Sequence, residues 1–135
     1  MSDGGTRIAS ITAASVALAD AGIPMRDLVC GVSVGKVAVQ LVLDPDKYED
    51  NLGESDVPMV FAPRNEEILL YQMDGMLSKD EISQAVEMAL KASKKIRVLQ
   101  ENALKEKYLE VFEKITGGNG NVASNGGESE TKTVQ

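Results

Sequence analysis

The stretch IASITAASVALA between Arg7 and Asp20 carries no charged side chain, and Ile8, Ile11, Ser15 and Leu18 recur in it at helical spacing. A helix so poor in charge is expected to lie buried. Its small residues, Ala9, Ala13, Ala14, Ala17 and Ala19, suit a close approach to a sheet or to a second helix, and Gly22 followed by Ile23 and Pro24 supplies a stop. Whatever else the chain forms must therefore provide a layer for this helix.

The residues after Pro24 supply that layer. Leu28 to Val34, rich in valine and flanked by glycine, reads as a mostly buried strand, and Val39 to Leu43 as a second. Asp44 to Asp56 is too acidic to be core and reads as a loop. Val57 to Phe61, with Pro58 near its start, and Glu67 to Met73 read as two more strands joined at Pro63-Arg64-Asn65, with Asp74-Gly75 ending that hairpin. Ser78 and Glu81 have capping-box spacing, and Ile82, Val86, Ala89, Ser93, Ile96 and then Leu99 or Gln100 keep helical phase. This predicts a long helical region from about Lys79 to about Ile115, continuous or broken once near Ala92–Lys95 or Gln100–Ala103. The order implies an α+β fold with a mixed or antiparallel sheet.

Composition narrows the chemistry. The 135 residues include no histidine and one cysteine, Cys30. That excludes Ser-His-Asp and Cys-His catalysis, imidazole-ligated zinc and an internal disulfide, leaving carboxylates, Lys, Arg, backbone amides or a hard cation. No apolar run approaches the roughly eighteen residues of a membrane span, and no signal sequence opens the chain, so a cytoplasmic protein without membrane contact is expected. The net charge of −7 argues against broad polyanion affinity. From residue 117 the chain turns to Gly, Asn and Ser with few sizeable apolar groups, which reads as a disordered tail on a domain spanning residues 1–116.

Two places could carry chemistry. Asp3-Gly4-Gly5-Thr6-Arg7 enters the apolar helix, and helix-terminal amides, a hydroxyl and a guanidinium together hold a phosphate-sized anion; a plainly capped helix is the simpler use of the same residues. Asp50 and Asp56, at the exit of the acidic loop, could share a magnesium or manganese ion, where a solvated acidic turn is again the simpler use. The glycines at 31 and 35 before Lys36 are too closely spaced for a P-loop, and Val37 stands where Ser or Thr would hold magnesium. The acidic loop also fails as an EF-hand, with Glu49 where glycine is needed. The Lys and Arg residues between Lys91 and Lys107 alternate with Glu87, Glu101 and Glu106 and read as a solvated helix face.

Four blocks taken in order, GGTRIASITAASVALADAGIPMRDLVCGVSVGKV, EDNLGESDVPM, ILLYQMDG and ENALKEKYLEVF, resemble the catalytic RNase PH-like ring subunits of the archaeal exosome. The resemblance covers Asp3 to about Glu113. It implies part of an RNase PH-like (ribosomal protein S5 domain 2-like) fold, and a subunit trimming single-stranded RNA from its 3′ end by phosphorolysis, with release of nucleoside 5′-diphosphates. Inorganic phosphate is then the co-substrate. Arg7, with Gly5, Thr6 and Ser10, falls where the family binds it. Asp50 falls on the family's catalytic or metal-binding carboxylate and Asp56 on the second acidic residue, with Mg2+ or Mn2+ the expected ion. The implied partners are a paralogous non-catalytic RNase PH-like ring subunit and RNA-binding cap proteins.

Three departures from the family pattern accompany the match. Ala38-Val39 replaces the usual Asp-Gly, so that loop is expected to be rebuilt or strained. Pro58 stands where related phosphorolytic enzymes often carry a lysine. The family's chain is about twice as long, its first half bringing a second phosphate-site arginine and the basic residues that grip RNA; without that half, weak RNA binding and open sheet edges are expected. A non-catalytic ring-assembly module, or a fragment without independent activity, is therefore the alternative to an active enzyme subunit, and an unrelated α+β domain with a phosphate-metabolite pocket is a third reading.

Overall fold

The computed structural model describes residues 5–45 and 55–117. In chain order the elements are α1 (Thr6–Asp20), β1 (Cys30–Val37), β2 (Gln40–Leu43), β3 (Ser55–Ala62), β4 (Glu67–Tyr71), β5 (Asp74–Gly75) and α2 (Lys79–Gly117). The strands form one sheet in the order β2-β1-β3-β4, with β5 paired to β3. Every pairing is antiparallel, because no helix intervenes between successive strands to carry the chain back for a parallel neighbour. The fold is thus α+β, with an antiparallel rather than a mixed sheet.

Side chains alternate across the strands, and the face formed by Val32, Val34, Val57, Met59 and Phe61 packs on Ala85 and Ala89 of α2 to make the core. The small alanines let the helix axis come close to the sheet. Cys30 closes the end of this layer, its thiol donating to the Ser93 carbonyl at 3.3 Å. Burial pushes its pKa up to about 11, so it is an inert core group.

On the opposite face Gly31, Ser33 and Gly35 leave room. A Cβ at Gly31 would stand 2.3 Å from Ile8 Cγ2, so glycine is what permits the contact with α1. Two hydroxyls fasten the helix: the Gly31 amide donates to Thr12 Oγ1 at 2.9 Å and the Val29 amide to Ser15 Oγ at 2.7 Å. The expectation of a buried α1 is corrected here. Ile8 and Ser15 are buried, but Ala9, Ala13, Ala14 and Ala17 are exposed and Leu18 keeps 44% of its surface. The sheet covers one stripe of the helix, and among the described residues nothing covers the other.

β1 begins and ends later than the sequence suggests, and its hairpin to β2 turns through two residues, with Val37 paired to Gln40. Ala38 and Val39 both take positive φ, 49° and 68°, so the hairpin is not rebuilt but is held in strained backbone. Asp74-Gly75 does not simply end the β3–β4 hairpin: Gly75, with φ 95°, lets the chain fold back so that Asp74 pairs with Asp56 and Gly75 with Ser55.

The capping box at the start of α2 is formed. The Ser78 amide donates to Glu81 Oε2 at 2.7 Å and the Glu81 amide to Ser78 Oγ at 3.3 Å. Of the two alternatives the continuous one is found: the helix runs to Gly117 without a break, since no proline or internal glycine interrupts it. Gln100, not Leu99, takes the inward position, donating from Nε2 to the carbonyls of Thr12 at 3.2 Å and Val29 at 3.1 Å. Asp27 ties the segment before β1 to this helix: its carboxylate accepts from Arg97 Nε at 3.0 Å and from the Arg64 amide at 2.8 Å. Burial works to raise the Asp27 pKa, but the Arg64 amide and the Arg97 guanidinium hold it below the usual range. The chain divides into two units, Met1–Leu104 and Lys105–Gln135. In the second, the described helical stretch exposes Tyr108, Leu109, Val111, Phe112 and Ile115. The tail expected from residue 117 lies, beyond Gly117, outside the described residues. No described helix is long and apolar enough to cross a membrane.

Candidate phosphate and carboxylate site

Gly5 caps α1 in the left-handed region, φ 56° and ψ 13°, and makes no side-chain cap hydrogen bond to the helix. The first intrahelical bond is from the Ala9 amide to the Gly5 carbonyl at 2.9 Å, so helix geometry gives the amides of Thr6, Arg7 and Ile8 no acceptor within the helix. The first turn carries no acidic residue. A helix end of this kind is electropositive, and Arg7 adds a full charge to it.

Arg7 projects from that turn towards the end of β4, where its Nη1 donates to Gln72 Oε1 at 3.0 Å. The Gln72 amide donates in turn to the Pro58 carbonyl at 3.1 Å, which anchors the residue to β3. Asp56, also on β3, accepts a 2.6 Å hydrogen bond from Ser33 Oγ at Oδ1. That bond fixes the carboxylate on the sheet face towards which α1 lies. Asp74 stands directly across from Asp56 in the β3–β5 register. Arg7, Asp56, Pro58, Gln72, Met73 and Asp74 line one open cleft of about 540 Å³.

Of the residues singled out in the sequence, Arg7 and Asp56 therefore meet in one cleft although they lie far apart in the chain. Thr6 is exposed at the first helical position and does not line it. Ser10 donates its hydroxyl to the Arg7 carbonyl at 2.7 Å, which turns it onto its own helix. Gly5 borders a separate, mainly apolar groove beside Asp44, whose Oδ1 lies 3.2 Å from where a Gly5 Cβ would be. Asp50 lies outside the described residues.

Ser33, Gln72 and Asp74 were not singled out by sequence reading. Their place at the cleft is a product of strand register, and the only sequence signals were the resemblance blocks that contain them, the one ending GVSVGKV for Ser33 and ILLYQMDG for Gln72 and Asp74. Among the described residues no three carboxylates or thiols converge as a ready metal cage. The donor set nevertheless fits a hard cation: Asp56 has one carboxylate oxygen beyond its Ser33 bond and Asp74 faces it, whereas Pro58 offers no donor. Magnesium characteristically takes one or two carboxylates and completes its shell with water and substrate phosphate.

Residues 27–92 match the 3′ exoribonuclease family, domain 2. Over 116 residues, 86% of its length, the chain is 54% identical to the exosome complex component Rrp41 of Thermococcus onnurineus, of which it covers 47%. It is 55% identical over 116 residues to the component of the same name from Thermoplasma volcanium, covering 46% of that protein. The crystal structure of rice (Oryza sativa) Rrp46 matches with a TM-score of 0.71 and 25% identity, over 77% of this chain and 50% of that one. The chain thus spans about half the length of these relatives. Sequence and fold agree on one assignment: the chain belongs to the 3′ exoribonuclease, or RNase PH, family and carries its C-terminal domain, domain 2.

Proposed function

We propose that this chain acts within an archaeal-type exosome ring that shortens single-stranded RNA from its 3′ end by phosphorolysis, in the cytoplasm. The observation that carries the reading is the meeting of Arg7 and Asp56 in one cleft at the glycine-capped N-terminus of α1. An oxygen of inorganic phosphate attacks the phosphorus of the terminal linkage, the bond to the 3′ oxygen of the preceding nucleotide breaks, and a nucleoside 5′-diphosphate leaves. Arg7, with the helix-terminal amides, orients the attacking phosphate and offsets its charge. The 3′ oxygen left on the RNA requires a proton, and Asp50 is the proposed donor. Asp56, with Asp74, would hold a Mg2+ or Mn2+ ion, which offsets charge on the phosphoryl oxygens when bound.

The proposed partners are single-stranded RNA, a paralogous RNase PH-like ring subunit and RNA-binding cap proteins. Support comes from the names of the relatives and from the absence of any need for histidine or a nucleophilic thiol when phosphate itself attacks. In a reconstituted ring, diphosphate release should require added phosphate. Asp50→Ala should abolish it, Asp56→Asn should lower kcat about a hundredfold or more, and Arg7→Ala should mainly raise the KM for phosphate. RNA decay at equal rate without phosphate overturns the reading. A non-catalytic ring-assembly module is favoured by one observation, Pro58 lining the cleft without a donor. It predicts ring assembly without phosphate-dependent decay.

A further inference from the structure

We infer that Gln72 is a positioning residue for Arg7, selected as a neutral acceptor that aims the guanidinium into the cleft while leaving its charge free for an oxyanion. The inference rests on the phosphate reading of the cleft. Guanidinium nitrogens only donate, so the atom of Gln72 facing Arg7 at 3.0 Å is necessarily the amide oxygen. Gln72 is itself fixed, since its backbone amide donates to the Pro58 carbonyl on β3 at 3.1 Å. A long, exposed arginine in the first turn of a helix would otherwise sample many rotamers, and tethering it to the sheet reduces the entropy lost when an anion binds.

The chemical identity of the tether matters more than its presence. A carboxylate at position 72 would form a stronger, charge-assisted bond with Arg7 and hold the same geometry, but it would also neutralise the guanidinium. The cleft already contains two carboxylates, Asp56 and Asp74. A third would set the local field against any phosphate. An amide is the acceptor that orients without cancelling charge, and glutamine reaches from the end of β4 to α1.

This distinction gives a test that a merely structural role would not pass. Inorganic phosphate is titrated into the full 135-residue chain, the Arg7 side-chain NH resonance is followed by NMR, and the unfolding midpoint in urea is measured in parallel. Gln72→Glu is expected to leave the unfolding midpoint at or above that of the parent and to weaken phosphate binding about tenfold or more. Gln72→Ala, which loosens Arg7 but keeps its charge, is expected to weaken binding only about threefold. Equal phosphate affinity in the parent and in Gln72→Glu overturns the inference while leaving the phosphate site intact. No response of the parent Arg7 resonance to phosphate overturns the phosphate reading, and this inference with it.

Discussion

Ala38 and Val39 occupy the two central positions of the β1–β2 hairpin with φ of 49° and 68°, where L side chains crowd the following carbonyl. Val39 is the costlier of the pair because its branched Cβ tolerates the left-handed region least, and its side chain recovers little by packing, being 84% exposed. Glycine removes the clash but adds entropy to the unfolded chain, which offsets part of the gain. Val39→Gly is therefore expected to stabilise the chain by about 1 kcal/mol, seen as a higher urea midpoint at unchanged slope. An unchanged midpoint would mean that the hairpin relaxes its strain elsewhere. This strain was one of two outcomes expected from Ala38-Val39 standing where the resembled family has Asp-Gly; the strand boundaries read from the sequence put Val39 inside β2 and did not show the two-residue turn. Gln72 and Asp74 were not legible. Nothing local marks them, and only the fold-back through Gly75 sets Asp74 opposite Asp56.

At the scale of elements, α2 shows what periodicity can and cannot convey. Its cap and inward stripe were readable because both depend on spacing within one segment, and Ser78, Glu81, Ala89 and Ser93 stand as that spacing requires. The burial of α1 was misread because a lack of charge says which faces could be covered, not which ones are. The α2 cap also carries a pH dependence. Glu81 is held down to about 2 by its bond with Lys36, at 2.9 Å, and by the amide and hydroxyl of Ser78. A carboxylate whose pKa is lower in the folded chain contributes stability that is fully present above its ordinary value of 4.5 and is lost as the pH falls towards 2. Urea unfolding of the parent and of Glu81→Gln should therefore differ at neutral pH, with the parent more stable, and the gap should close between those two values. A gap that persists at about pH 2 would assign the effect to lost packing rather than to charge.

For the whole molecule the open edge of the sheet has the widest consequence. β4 has one strand partner among the described residues, β3, and exposes Ile68, Leu69 and Tyr71, with Met73 and Met76 exposed just beyond it. Natural sheets commonly guard such an edge with charge, proline or a bulge; here Val60 pairs with Leu70 and Phe61 with Ile68, so β4 bulges at Leu69, yet its apolar side chains stay exposed. The net charge of −7 opposes contact between copies. That repulsion acts at long range and is screened beyond about 10 Å at 0.1 M salt, whereas strand pairing and apolar contact are not. Self-association of the isolated chain should therefore rise with ionic strength. Leu69→Lys provides the decisive comparison: it brings the net charge one unit closer to zero, so a purely global effect would increase association, while a charge on the exposed edge should suppress it. Light scattering across a concentration series is expected to show association reduced several-fold in Leu69→Lys at about 0.5 M salt, a concentration chosen because the Debye length there is only about 4 Å. Equal or greater association of the variant would move the contact away from β4, to the exposed stripe of α1 or the exposed apolar residues near the end of α2.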